Sequence, residues 1–342
     1  MTAFSAAPSL DEQARRAVTA ALGSTPRGLA FGRLVEPAAW LAACQGQVPA
    51  RRIERARVVI FSGEHGIAHR QFEGAGLSAF APEATQEQIA EIKNNEGPIH
   101  TFARNAGAGI SLVECGNSGA VDSQDAMSAE VLKAALDAGA QAADREIDAG
   151  ADLLIPADIG VGNTTIAAIV MGLLTHTEPV AIVGPGSGTT DAMWKTKVLV
   201  IRDAMFRARH LAQQPQALLQ SVTSPDFAAQ VGFIIQAAAR RTPLLIDGAF
   251  TAAAAVVAER MAAGSQAWMY AAGITTEPAH HLALQDLRLQ PLLSLDMHAG
   301  SGFGALSALP LIQSGVELAA DEVIAVSAAM NTTGSESIDE SS

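Results

Sequence analysis

The stretch Leu153-Leu-Ile-Pro-Ala-Asp-Ile-Gly-Val-Gly-Asn-Thr-Thr165 limits what this chain can fold into more than any other. A short apolar run ends in a glycine-spaced turn and a long alanine-rich segment follows, which predicts strand, loop and helix. Gly160 and Gly162 let the backbone turn tightly and approach a ligand. Asn163, Thr164 and Thr165 sit where a helix N-terminus offers N–H groups and hydroxyls to an anion. The design recurs as Pro179-Val-Ala-Ile-Val183, read as a strand, followed by Gly184-Pro-Gly-Ser-Gly-Thr-Thr190. Two such loops point to one polyanionic or phosphorylated substrate. The first lacks the third glycine of a dinucleotide fingerprint and the second lacks the Gly-Lys-Ser/Thr ending of a P-loop, so NAD and ATP are disfavoured.

The same alternation runs along most of the chain. Apolar runs at 57–62, 110–115, 243–247, 267–272 and 292–297 are separated by helical patterns. Six or seven such strands predict an α/β fold with a mostly parallel sheet covered by helices on both faces. Helical patterns at Leu10–Leu22 and Leu34–Ala43 form a lead-in, and the Ser/Thr/Glu-rich segment 331–342 reads as a mobile tail.

The formal net charge of −13 over 342 residues argues against non-specific nucleic-acid or anionic-membrane binding, so any phosphate is held locally. No basic n-region with an apolar h-region opens the chain, and no uninterrupted apolar segment of about 18 residues is read, which together predict a cytoplasmic protein. Cys44 and Cys115 have no CxxC spacing, consistent with a reducing compartment and no structural zinc.

Open parallel sheets bind ligands at the carboxyl ends of their strands. Those positions collect Glu64, His65, Asp158, Asp247, His280 and His298. Lys197, on the helix after the second glycine loop, reads by spacing as a solvated lysine and gains interest only as a countercharge for Gly184, Gly186, Ser187 and Gly188. His65 and His69 lack the His-Glu-x-x-His form, so no metal is expected. Ser301 between Gly300 and Gly302 lacks the spaced pattern of a nucleophile elbow.

Taken in order, these motifs resemble the nicotinate-nucleotide:dimethylbenzimidazole phosphoribosyltransferase family of cobalamin lower-ligand synthesis. The family's Lys-Pro-x-Gly stands here as Thr25-Pro26-Arg27-Gly28, its Asp-His-Gly as Glu64-His65-Gly66, and its Ser-Ala-aromatic segment as Ser78-Ala79-Phe80. The central Gly-(Ile/Val)-Gly-Asn-Thr-Thr is intact at Gly160–Thr165, and Gly-Arg-Gly-Thr-Gly appears as Gly184-Pro185-Gly186-Ser187-Gly188. Asp191, Lys197, the strand ending in Asp247-Gly248, and Glu277 to His280 follow in the family order.

The resemblance implies a Rossmann-like α/β domain at 51–304 and a small helical domain from both chain ends, 1–50 and 305–330, in a homodimer. It implies transfer of phosphoribose from nicotinate mononucleotide to 5,6-dimethylbenzimidazole or a related azole, without a cofactor or metal. Binding roles fall on Glu64, His65, Ser78, Phe80, Gly160, Gly162, Asn163, Thr164, the second glycine loop, Lys197, Asp247, Gly300 and Gly302. The glutamate regarded as general base falls on Ser301, so the candidate catalytic groups are Ser301, Asp158 and His298, with Glu64 a further candidate to replace the missing base. Alternative readings are a non-catalytic homologue that binds nucleotide or azole and, more weakly, a dinucleotide-dependent oxidoreductase. Alanine-rich helices such as Ala249–Ala263, with few charges, supply a second ground for expecting a dimer.

Overall fold

A computed structural model describes the backbone of residues 4–298 and 300–339, and side chains as far as residue 329. None of the expected tail, 331–342, therefore has described side chains, and 340–342 lie outside the described residues altogether. The chain divides into two compact units, Met1–Pro8 with Arg55–Ser307 and Ser9–Glu54 with Ala308–Ser342. Residues 4–8 are tied to the larger unit, where Ala7 N donates to Ala263 O and Trp268 Nε1 donates to Pro8 O.

The larger unit is built on a five-stranded sheet in the spatial order Gly109–Ser118, Ala56–His65, Leu153–Ile159, Leu244–Ile246, Met269–Ala271. Every pairing in it is parallel. In chain order this is 2-1-3-4-5, a doubly wound arrangement whose direction switches between the strands Ala56–His65 and Leu153–Ile159. The Leu153–Ile159 strand is buried along its whole length, as a central parallel strand covered on both faces must be.

Two expectations are corrected here. Leu293–Met297 is a strand, but it pairs in parallel with Gly273–Thr275 as a separate two-stranded sheet, so the main sheet has five strands rather than six or seven. Its middle residues are solvent-exposed, so it lacks the burial of a central parallel strand. The run Pro179–Val183 forms a one-turn helix, Pro179–Ile182, instead of a strand. Proline at the first helical position favours that turn, and Val180 is 60% exposed where a buried strand would cover it.

The helices Ala129–Asp148 and Pro225–Ala239 cross closely at two glycines. A Cβ on Gly139 would run into the Ala229 carbonyl, and one on Gly232 into Leu136. Beneath them, Phe61 meets Phe233 edge to face at 5.3 Å. The alanine-rich helix Ala249–Met261 is buried from Ala249 to Ala258, so its apolar surface is spent in the core and gives no support to a dimer.

In the smaller unit, Asp11 caps the helix Glu12–Gly23. Thr25 Oγ1 accepts from Gly28 N at 3.0 Å and donates to Glu322, while Arg27 Nε lies 2.5 Å from Glu322 Oε2. The segment Phe303–Ala329 is long and apolar enough to cross a membrane by length and composition, yet half of it is buried in protein. It also contains Pro310.

Candidate active site

The site lies where the sheet reverses its order. Phe61 and Ser62 pair with Asp158 and Ile159, so the ends of two neighbouring strands and their loops stand side by side. After Ile159 the chain turns through Gly160 and Gly162 into the helix Asn163–Thr175. Gly162 has φ +107°, a region other residues rarely enter, and a Cβ there would sit 3.3 Å from His65 Nδ1. No side chain caps this helix. Asn163 turns back instead, and its Nδ2 donates to Asp158 Oδ2 at 2.5 Å.

Asp158 is 6% exposed and also receives a 3.4 Å hydrogen bond from Thr251 Oγ1. Burial pushes its carboxyl up to about 6, with the Asn163 bond opposing and the buried Asp226 adding to the rise. Asp226 lies behind it on the first turn of Pro225–Ala239, and its two oxygens are each 3.2 Å from His65 Nε2. His65 is thus turned away from solvent into a carboxylate, and its Nδ1 has no partner. Asp247 is also driven up to about 6 by burial, against the pull of backbone donors. Its Oδ2 accepts from Gly304 N at 2.8 Å, which fixes the start of the Phe303 helix.

The second glycine loop faces a buried ion pair. Lys197 is 2% exposed, contrary to a solvated helical lysine. It falls in register with Ile201, Ala204 and Ala208 on the apolar face of Asp191–Ala208, which packs against Asn163–Thr175. Lys197 Nζ donates to Thr164 Oγ1 at 2.8 Å and stands 3.9 Å from Glu277 Oε2. Glu277 Oε1 accepts from Gly186 N at 2.9 Å. Burial pulls the Lys197 ammonium down in pKa, while the Glu277 carboxylate resists that fall.

Asp158, Lys197 and the two glycine loops open onto one cavity of about 340 Å³. The first loop contributes Gly160, Gly162, Asn163 and Thr164, and the second contributes Gly186 and Ser187. Ser78 and Phe80 line it, as do His298, Gly300 and Ser301, so all three candidate catalytic residues, Asp158, His298 and Ser301, meet there. Apolar surface comes from Ile60, Leu77, Ile99 and Phe303, the last stacked edge to face on Phe102 at 5.1 Å. A cavity that combines apolar walls with a few convergent polar groups suits a small aromatic ligand carrying an anion.

The model of a family described as phosphoribosyltransferase matches residues 7–329. The chain belongs to this family. Among its relatives, nicotinate-nucleotide–dimethylbenzimidazole phosphoribosyltransferase of Mycobacterium ulcerans is 45% identical over 330 residues, covering 92% of this chain and 90% of that protein. The protein of the same name from Mycobacterium avium is 46% identical over 308 residues, covering 85% and 86%. The crystal structure of CobT from Thermus thermophilus superposes with a TM-score of 0.83 at 29% identity, covering 90% of this chain and 96% of that one.

Within this phosphoribosyltransferase, other residues singled out by sequence stand away from the cavity. His65 and Asp247 are buried behind it, and Gly302 packs its backbone against Ala157. Glu64 accepts from Gln86 Nε2 at 2.6 Å, Gly184 lies on the Glu277 carboxylate, and Gly188 lies against Ala79. His280 is fully buried, neutral and held down to about 3 by burial, with Thr275 N donating to its Nδ1 at 3.1 Å. His298, by contrast, lies on the cavity wall, where it is exposed and shares a 2.8 Å hydrogen bond with Thr276.

Sequence reasoning missed Asp226, Thr251 and the lining residues Gln88, Glu91 and Glu96, and gave Glu277 no role. Ser224-Pro-Asp226 reads as an ordinary helix start, so nothing in it marks the carboxylate that meets His65. Lys197 carried a readable signal, because a lysine on the apolar face of its helix requires a buried partner. Among the described residues, no three potential metal ligands come together.

Proposed function

We propose that this cavity transfers the 5-phosphoribosyl group of nicotinate mononucleotide to a nitrogen of 5,6-dimethylbenzimidazole or a related azole. The azole nitrogen attacks the anomeric carbon from the face opposite nicotinate. The new C–N bond forms as the old one breaks, and nicotinate leaves with the bonding pair. The azole N–H proton passes to Asp158, giving nicotinate and α-ribazole 5′-phosphate.

The observation that carries this reading is that Asp158, with its carboxyl pushed up to about 6, lines the same cavity as Lys197 and both glycine loops. A base with a pKa near the working pH combines availability with proton affinity, whereas the Ser301 hydroxyl at the family's glutamate position has little basicity. The phosphate is held by the loop N–H groups, the Thr164 hydroxyl and Lys197. Membership of a phosphoribosyltransferase family and the names of the relatives support the same substrates.

The test is incubation of purified protein with nicotinate mononucleotide and a panel of azoles and purines, with nicotinate followed by mass spectrometry. Release that depends on an added azole supports transfer. Binding without release favours a non-catalytic homologue.

We further read the protein as a cytoplasmic homodimer. Both cysteines are unbridged, and exposed apolar side chains such as Phe72, Phe206 and Leu295 supply surface for a partner copy. Sedimentation at micromolar concentration reads two chains on this account, and a monomer throughout would contradict it.

A further inference from the structure

The buried carboxylate of Glu277 touches two parts of the phosphate end and is assigned no role by the reaction. Its residue is the N-cap of the helix Pro278–Asp286, which packs against Asn163–Thr175 and Ala249–Met261 in the core. Glu277 is therefore anchored at the start of a core-packed helix, at 1% exposure. One oxygen, Oε1, accepts from Gly186 N at 2.9 Å. The other, Oε2, has no hydrogen-bond partner and stands 3.9 Å from Lys197 Nζ. The loop also rests directly on this carboxylate, because a Cβ on Gly184 would overlap its atoms. Gly184 thus has a packing reason to be glycine at a φ that needs none.

Burying a carboxylate with one unpaired oxygen is costly unless a nearby charge compensates it. The compensating charge is Lys197, which spends its own hydrogen bond on Thr164 of the first glycine loop. A single chain of contacts therefore runs from Gly186 through Glu277 and Lys197 to Thr164 and joins both loops. Gly186 and Thr164 line the cavity at the two ends of that chain, and Lys197 lines it between them.

We propose that Glu277 is a positioning residue that holds the second glycine loop and the Lys197 ammonium in the arrangement that receives the nucleotide phosphate. This inference rests on the reading of the cavity as a nicotinate mononucleotide site. Glu277 itself takes no part in bond making. Its oxygen Oε1 fixes the loop, and its charge keeps an ammonium available in a place where burial works against one.

The two roles separate by substitution. Glu277→Gln keeps an acceptor for Gly186 N and removes the charge, whereas Glu277→Ala removes both. Amide hydrogen exchange over 184–189, calorimetry with nicotinate mononucleotide and steady-state kinetics are compared with the parent protein. Glu277→Gln is expected to leave loop exchange slow and weaken nucleotide binding at least about threefold. Glu277→Ala is expected to speed loop exchange and raise KM for the nucleotide at least about tenfold, with KM for the azole within about twofold.

Nucleotide affinity unchanged in Glu277→Gln would overturn the proposal, as would equal losses for both substrates or a folded Glu277→Ala with unaltered loop exchange. If Glu277→Ala does not fold, judged by circular dichroism, the Glu277→Gln calorimetry decides. Absence of nucleotide binding by the parent protein would instead refute the functional reading.

Discussion

Asn163 Nδ2 lies 2.5 Å from Asp158 Oδ2, so the first helical residue after the glycine turn orients the carboxylate that closes the central strand. An ionised carboxylate only accepts, so the amide meets Asp158 with its NH2 side, and Asn163 Oδ1 is left buried without a hydrogen-bond partner.

The Asp158 carboxyl, pushed up to about 6, gives a pH-rate profile with a definite sign. The base form exists above that value, so transfer to the azole should fall about tenfold per pH unit below about 6 and reach a plateau above it. Asp158→Asn should cost about 10²–10⁴ in kcat. A profile flat from pH 5 to 8, or full activity in the variant, would remove Asp158 from the chemistry.

The same shift predicts a stability effect. A carboxyl whose folded value is raised favours the protonated folded state, and that advantage is present below the unfolded value near 4 and lost as pH rises through about 6. Melting temperatures of Asp158→Asn relative to the parent should therefore improve between pH 3.5 and pH 8. A difference that does not move with pH would contradict the burial argument.

Ser301→Glu places a second carboxylate in a cavity that already holds Asp158. Ser301 has φ +54°, and Gly300 beside it lies so close to Gly248 that a Cβ on either would meet the other's Cα within 3 Å. With Asp158 as base, the variant should transfer no faster than the parent. An increase of about tenfold or more in steady-state rate would mean that the missing glutamate limits turnover.

The fold was readable where burial on both faces leaves a plain mark. Residues 153–157 form a continuous apolar run because they lie in a central parallel strand, and the glycines after that strand turn the chain at the sheet's switch point. Pro179–Val183 carries the same apolar run without the neighbours that would make it a strand, and one helical turn results. Site residues on the two loops were legible because glycine and threonine spacing is local. Asp226 and Thr251 were not, since their contacts with His65 and Asp158 join residues 161 and 93 apart in the chain. Lys197 shows an intermediate case, in which the helical register places it inside but only the fold supplies Glu277.

Lys197→Ala should act on both binding and stability. It leaves Glu277 buried without its cation, which should cost about 3 kcal/mol or more. In protein that remains folded, affinity for nicotinate mononucleotide should fall at least about tenfold while azole affinity changes little. Equal loss of both ligands in calorimetry would move the phosphate away from this end of the cavity.

The central claim is the transfer itself, and product analysis tests it most directly. Purified protein is incubated with nicotinate mononucleotide and 5,6-dimethylbenzimidazole, and both nicotinate and α-ribazole 5′-phosphate are quantified by mass spectrometry against an Asp158→Asn control. The account predicts equal amounts of the two products in the parent and a loss of about 10²–10⁴ in rate in the control. Bound nucleotide with neither product formed, or nicotinate released without any ribosylated azole, would contradict it.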